Sequence, residues 1–341
     1  MVINRQATLF DRHSRFDKEI LPLLDPALRD WLLVLTPGRK DKLEEIRLRA
    51  GQPILLRFAK EEFTLTAKGE LVKELAYGYR INQQTVHTTL DIMTQSSLYA
   101  WEEEIKNGFI TLRGGHRVGL SGKVTLEAGQ VKTIKYVSGL NIRLSKEIKG
   151  VGRKVLPYLL KDHQLQNTLI ISPPQAGKTT LLRDLTRLIS SGAVELGLRG
   201  VNVGVVDERS ELAGCYEGIP QNDLGPRTDV LDCCPKSQGM LMLLRAMAPQ
   251  VLVTDELGRP GDMAAIEEAV NSGVNVLTSV HGEDELEVRR KPSLREVLGS
   301  GVFSRIVVLS RRMNVGTVEK IIDCTNNINL LNSPLALAGR E

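Results

Sequence analysis

The residues best equipped for chemistry lie between Leu169 and His281. In LIISPPQAGKTTLL, from Leu169 to Leu182, a short apolar run turns through Ser-Pro-Pro-Gln-Ala-Gly into a Leu-rich segment of helical character. This is the pattern of a buried strand, a loop and a helix start, where unpaired N–H groups and the positive end of the helix dipole favour an anion. Gly177 lets the backbone approach a phosphate closely, and Lys178 can reach β and γ oxygens. Thr179 or its neighbour Thr180 can put a hydroxyl on Mg²⁺, and by position Thr179 is the metal-side hydroxyl. The segment departs from G-x-x-x-x-G-K-[ST] at Ser172, and Gln175 fills a place where small residues are common. Pro173 and Pro174 stiffen the turn and remove two donors, which leaves Gln175, Ala176, Gly177, Lys178 and Thr179 to supply the N–H cradle.

Two later apolar runs end in paired acids, VNVGVVDE at Asp207 and Glu208, and VLVTDE at Asp255 and Glu256; a third, VNVLTSVH, ends in His281. Hydrolysis of a γ-phosphate requires a metal, an oriented water and positive charge to meet the developing anion. Asp255 is an acid of Walker-B type that can hold the Mg²⁺ shell, and Glu256 beside it is placed to orient or deprotonate water. Glu208 is a second candidate for the same task, and the sequence leaves the choice open. His281 either senses the γ-phosphate or serves the fold. Arg209, Arg227, Arg245 and Arg259 are candidates for an arginine finger, supplied in cis or by an adjacent subunit, with Arg245 the first choice.

Helical segments separate these runs: the one after Lys178, ending near Gly192, then Gln238–Met247 and Asp262–Asn271. Strands alternating with helices predict a parallel sheet, whose carboxyl ends collect ligand groups. The acids, His281 and the phosphate loop all fall at such ends. The expected fold is therefore α/β, a P-loop NTPase with a RecA-like parallel sheet over residues 149–325. Residues 213–236 read as a long polar segment covering the site.

Before it, residues 1–148 read as a smaller N-terminal α+β domain, and residues 326–341 as a tail without periodicity. Short helices broken by Pro22 and Pro26 lead into strands around Ile46 and Leu48 and a hairpin around Gly69. A helix is expected from Asn82 to Asn107. Phe109–Leu112, Val118–Thr125, Val131–Val137 and Asn141–Leu144 follow as strands. Two basic stretches, Arg47–Gly51 (RLRAG) and Arg113–Gly119 (RGGHRVG), can be anion contacts or hairpin turns with solvated arginines, and the turn is the simpler reading.

With 341 residues, 42% hydrophobic and 25% charged, the chain has the make-up of a folded globular protein with room for two cores. A net charge of +4 suits ATP as well as nucleic acid, and 4% aromatics speak against base-stacking platforms. The four cysteines have no C-x-x-C spacing and read as thiols of a reducing compartment. No apolar run reaches membrane-span length and the first residues lack a signal-peptide core, so a cytoplasmic protein is expected.

The ATPase half resembles the secretion ATPases of type II and type IV systems and pilus motors. Their phosphate loop, acidic box, Walker B segment and histidine box match Ser172–Thr180, Val206–Glu211, Leu244–Glu256 and Leu277–Asp284, in that order. The stretch LLRAMAPQVLVTDELGRPGDMAAIEEAVNSGVNVLTSVHGED is similar throughout. More closely, EEIRLRAGQP, YAWEEEIKNGFITLRGGHRVGLSG, GLNIRLSKEI and VVDERSELAG resemble the stage III AA family of sporulation proteins in endospore-forming bacteria. The resemblance implies a homo-oligomeric, hexamer-forming ATPase on the mother-cell side, energising a transenvelope channel through membrane-embedded partners, with ATP and Mg²⁺. Two other readings share the sheet: a nucleic-acid-stimulated RecA-like ATPase, against which the sparse aromatics count, and an ATP-gated scaffold with little turnover.

Overall fold

A computed structural model describes residues 14–59, 61–97, 101–259, 261–290 and 292–332. The opening stretch before residue 14, Leu98 within the expected helix, and the tail beyond residue 332 lie outside the described residues. Two compact units make up the chain, Met1–Lys146 and Glu147–Glu341.

The first unit opens with three short helices, α1 (Arg15–Glu19), α2 (Pro26–Leu33) and α3 (Pro37–Lys42). A reciprocal capping box between Ser14 and Asp17 starts α1. Pro26 and Pro37 fall in the first turns of α2 and α3, where a missing N–H costs nothing. Strands β1 (Leu43–Arg49), β2 (Leu55–Phe58), β3 (Glu61–Leu65) and β4 (Leu71–Val72) follow, then helices α4 (Gln83–Met93) and α5 (Glu102–Lys106). Strands β5 (Phe109–Leu112), β6 (His116–Glu127) and β7 (Gln130–Arg143) complete an antiparallel sheet of order β4-β3-β2-β1-β7-β6-β5. Alternation along the strands buries Ile46, Leu48, Ile110, Val118, Leu140 and Ile142 in one core.

Two expectations need correction here. The helix from Asn82 does not run to Asn107: Gln95 and Ser96 take left-handed φ values of 50° and 58°, which no α-helix accommodates, and α5 starts afresh. Val131–Val137 and Asn141–Leu144 are not separate strands, because β7 carries the chain through both. A register shift opposite Gly122 absorbs the irregularity. In the Arg113–Gly119 stretch, His116 is buried and serves the fold. Its Nε2 lies 2.7 Å from Glu19, its Nδ1 accepts the Ser145 N–H at 3.0 Å, and burial lowers its pKa.

In the second unit, in chain order, are β8 (Thr168–Ser172), α6 (Lys178–Ser191), β9 (Val203–Asp207), β10 (Thr228–Asp232), α7 (Lys236–Ala246) and β11 (Val251–Glu256). Then come α8 (Asp262–Asn271), β12 (Asn275–His281), α9 (Glu285–Arg290), α10 (Pro292–Gly299), β13 (Arg305–Ser310), β14 (Thr317–Asp323) and β15 (Ile328–Asn329). The sheet order is β10-β9-β11-β12-β8-β13-β14-β15, parallel from β10 to β13 and antiparallel across β14 and β15. Near-continuous apolar strands are buried on both faces. Ile170, Val205, Val253 and Leu277 pack with Leu182, Leu185 and Ile189 of α6. On the opposite face Leu169, Ile171, Val206 and Leu252 pack with Met240 of α7 and Ile266 of α8.

Residues 213–236 are not simply a polar cover. They contain β10, the edge strand of the sheet, and fully or nearly buried Ala213, Cys215 and Leu224.

Candidate functional site

The strands that end at the site finish level. Ser172 is the register partner of His281, and Val206 of Thr254. Between Val253 and Glu256 the β11–β12 register shifts by a bulge, which re-aims the strand end so that Asp255 and Glu256 border the same cavity.

Gly177 caps α6 with φ 88° and ψ 11°, a left-handed conformation. A Cβ there would stand 3.2 Å from Gly316 Cα, a tight approach that the facing loop would have to yield to. Gln175, also left-handed at φ 58°, is exposed. The loop between β13 and β14 clasps this turn: the Gly316 N–H donates to the Ala176 carbonyl at 3.1 Å, and Arg311 donates to the Pro174 carbonyl.

Above the turn is an open cavity of about 420 Å³. Pro173, Pro174, Gln175, Gly177, Lys178, Thr179 and Thr180 line it from the loop side, and Asp255, Glu256 and His281 from the strand ends. Ser172 and Ala176 lie beneath it, fully buried. Lys178 Nζ is 3.7 Å from Glu256 Oε2, and His281 Nε2 is 3.0 Å from the same oxygen. Burial lowers the Lys178 pKa, against the pull of Glu256, Asp255 and Glu211.

Asp255 is nine-tenths buried, and that burial raises its pKa; Lys236 Nζ, 3.1 Å from Oδ1, pulls the other way. Lys236 also pairs with Glu208, so it bridges the acids at the ends of β9 and β11. Arg259 completes the cage around Glu208 at 2.5 Å. Glu208 therefore faces two cations and does not border the cavity, unlike Glu256.

Asp207 carries out a structural task. Its carboxylate accepts N–H bonds from Glu211, Leu212 and Ala213 at 2.8–2.9 Å and holds the turn after β9. That turn delivers Arg209 and Glu211 to the cavity wall. Of the other arginine candidates, Arg227 donates to the Ser190 carbonyl, and Arg245 is exposed on α7 away from the cavity lining. The first choice for a finger is thus not brought to this cavity, because α7 points that residue outward.

Sequence reasoning missed Lys236 and Val315, which touch the cavity or its acids, and it placed Glu211 in the acidic box without giving it a role. Lys236 opens a helix and reads as a solvated charge. Val315 arrives from a loop some 140 residues along the chain from the phosphate turn, with no motif to announce it.

A family model described as sporulation stage III, protein AA matches residues 14–328. The chain is 40% identical over 310 residues to stage III sporulation protein AA of Bacillus subtilis (strain 168), covering 91% of this chain and 96% of that protein. Among solved structures it is similar to the pilus retraction motor PilT with bound ADP, with a TM-score of 0.53 at 14% identity over 94% of this chain and 86% of that one. The ATPase DotB of Legionella pneumophila matches with a TM-score of 0.50 at 14% identity, covering 78% and 72%. The fold is that of the P-loop secretion ATPases.

Proposed function

The chain belongs to the sporulation stage III protein AA family, and on that premise we propose that it is an ATP-hydrolysing motor, related to the secretion ATPases, that energises a channel between mother cell and forespore. The observation that carries the reading is the convergence of Lys178, Glu256 and His281 on one cavity at a helix N-terminus. Lys178 meets the β and γ oxygens of ATP, and a γ-phosphate competes with Glu256 for its charge. Glu256 then orients the attacking water as general base, in preference to Glu208, which does not border the cavity. His281 holds the Glu256 carboxylate, and Arg209 on the cavity wall supplies positive charge toward the transferring group.

Thr179 and Asp255 both border the cavity and offer the oxygen donors that Mg²⁺ takes. They would hold the ion, which supplies charge neutralisation at the phosphates. Working as a hexamer through membrane-embedded partners is what the resemblance to secretion ATPases supports. No helix among the described residues is long and apolar enough to cross a membrane.

The experiment is steady-state ATP hydrolysis with Mg²⁺ by the parent, Lys178→Ala and Glu256→Gln, with mass in solution measured with and without ATP. Hydrolysis lost in both variants, with nucleotide-driven assembly of the parent, supports the motor. Binding without hydrolysis in the parent replaces it with a nucleotide-gated scaffold.

A further inference from the structure

The phosphate turn makes few hydrogen bonds of its own. Pro173 and Pro174 have no N–H to give, and the Ala176 N–H is turned back on the Pro173 carbonyl at 3.3 Å. Gln175 adds a left-handed backbone, φ 58°, which a residue with a side chain keeps only where its surroundings hold it. The turn is held from outside, at every second carbonyl. That of Ser172 accepts the Gly282 N–H at 3.2 Å, just beyond β12. Those of Pro174 and Ala176 accept from Arg311 and Gly316, the two ends of the loop between β13 and β14.

A trans peptide unit is planar, with its C=O and N–H pointing in opposite directions, and every described peptide bond is trans. Fixing the Pro174 carbonyl outward therefore aims the Gln175 N–H the other way, and fixing the Ala176 carbonyl does the same for the Gly177 N–H. Gln175 and Gly177 both border the cavity, and neither N–H donates to another described residue. Arg311 does not border it. That side chain is exposed and lines a separate opening of about 490 Å³, with Pro173, Ser310, Arg312, Glu283 and Glu319. Its route to a ligand in the cavity runs through the Pro174 carbonyl.

We propose that Arg311 is a positioning residue for nucleotide: by fixing the Pro174 carbonyl it aims the Gln175 N–H at the phosphates, as Gly316 aims the Gly177 N–H. The loop between β13 and β14 thereby sets phosphate affinity, a role that rests on the reading of the cavity as an ATP site. An N–H already aimed serves ground state and transition state alike, so its loss raises KM and spares kcat. Arg312 provides the control, since it carries the same charge one residue on but pairs with Glu319 at 3.4 Å.

The test is equilibrium titration of the full chain with a fluorescent ADP analogue and Mg²⁺, beside steady-state ATP hydrolysis. The parent is compared with Lys178→Ala, Arg311→Met, Arg311→Lys and Arg312→Met. Arg311→Met is expected to bind about tenfold more weakly, the scale of one hydrogen bond to a charged group, with kcat within about twofold of the parent's. Its ligand-free melting temperature should stay within about 3 °C, because Arg311 is exposed. Arg311→Lys should recover most of the affinity, and Arg312→Met should bind like the parent. Should Arg311→Met fail to fold, Arg311→Ala takes its place. Binding by Arg311→Met equal to the parent's, an equal loss in Arg312→Met, or a kcat that falls as far as the affinity overturns the positioning role alone. Failure of the parent to bind, or binding by Lys178→Ala as tight as the parent's, overturns the nucleotide reading and the proposal with it.

Discussion

His281 stands opposite Ser172 in the β8–β12 register, with its Nδ1 3.3 Å from the Ser172 carbonyl oxygen. Its Nε2 is turned toward Glu256 Oε2 at 3.0 Å, so the ring lies between two acceptors. The imidazole joins the last residue of the phosphate-loop strand to the proposed general base.

Replacing that link should separate binding from turnover. His281→Ala is expected to lower kcat about tenfold or more, as loss of an orienting partner commonly does, while ADP affinity stays close to the parent's. Steady-state kinetics beside equilibrium titration of a fluorescent ADP analogue gives both numbers. A fall in affinity as large as the fall in kcat would assign His281 to nucleotide contact instead.

Gly177→Ala should injure both the loop and the fold. The left-handed backbone costs a residue with a Cβ about 1–2 kcal/mol. The added atom also approaches Gly316 Cα at 3.2 Å, pressing the loop between β13 and β14 off the phosphate turn. A lower melting temperature, with nucleotide no longer raising it, is the expected outcome of a thermal-shift series.

Lys236→Met leaves Asp255 and Glu208 facing each other without their shared cation. Breaking a buried pair by removing one partner costs about 3–5 kcal/mol, because the remaining charge is left uncompensated. Urea unfolding should show that loss, and adding Glu208→Gln to Lys236→Met should recover part of it. Independent, additive effects would show that Lys236 does not bridge the two acids.

Asp207 gives a pH signature. Burial raises its pKa from 3.8 to about 7, so the folded state holds a proton that the unfolded chain has released. The stability linked to that proton is fully present below about pH 4 and is lost as pH rises through about 7. Asp207→Asn removes the titration while keeping the size. The parent's melting temperature should therefore fall relative to the variant's between pH 4 and pH 7, and a flat difference would refute the assignment.

The parts of the fold that were legible have a common physical cause. β8, β9, β11, β12 and β13 are buried on both faces, so their sequences are nearly uninterrupted aliphatic runs, and the chemistry sits where those runs stop. β10, with sequence TDVLD and only half-buried, lacks that signal because an edge strand has one neighbour and faces solvent. Gln95 and Ser96 break a helix without the glycine or proline that would mark the break. In the site, Lys178, Asp255, Glu256 and His281 were readable from their positions after strands. Lys236 and Val315 were not, since what gives them a role is a contact across the fold and not a spacing along the chain.

The three backbone N–H groups gathered by Asp207 bear on how a ligand is met. A wall segment that flickered among conformers would discount affinity by the fraction of time it was competent. Here a buried side chain ties down the backbone of the segment that carries Glu211 to the cavity wall, so less ordering of that backbone remains as a cost of binding.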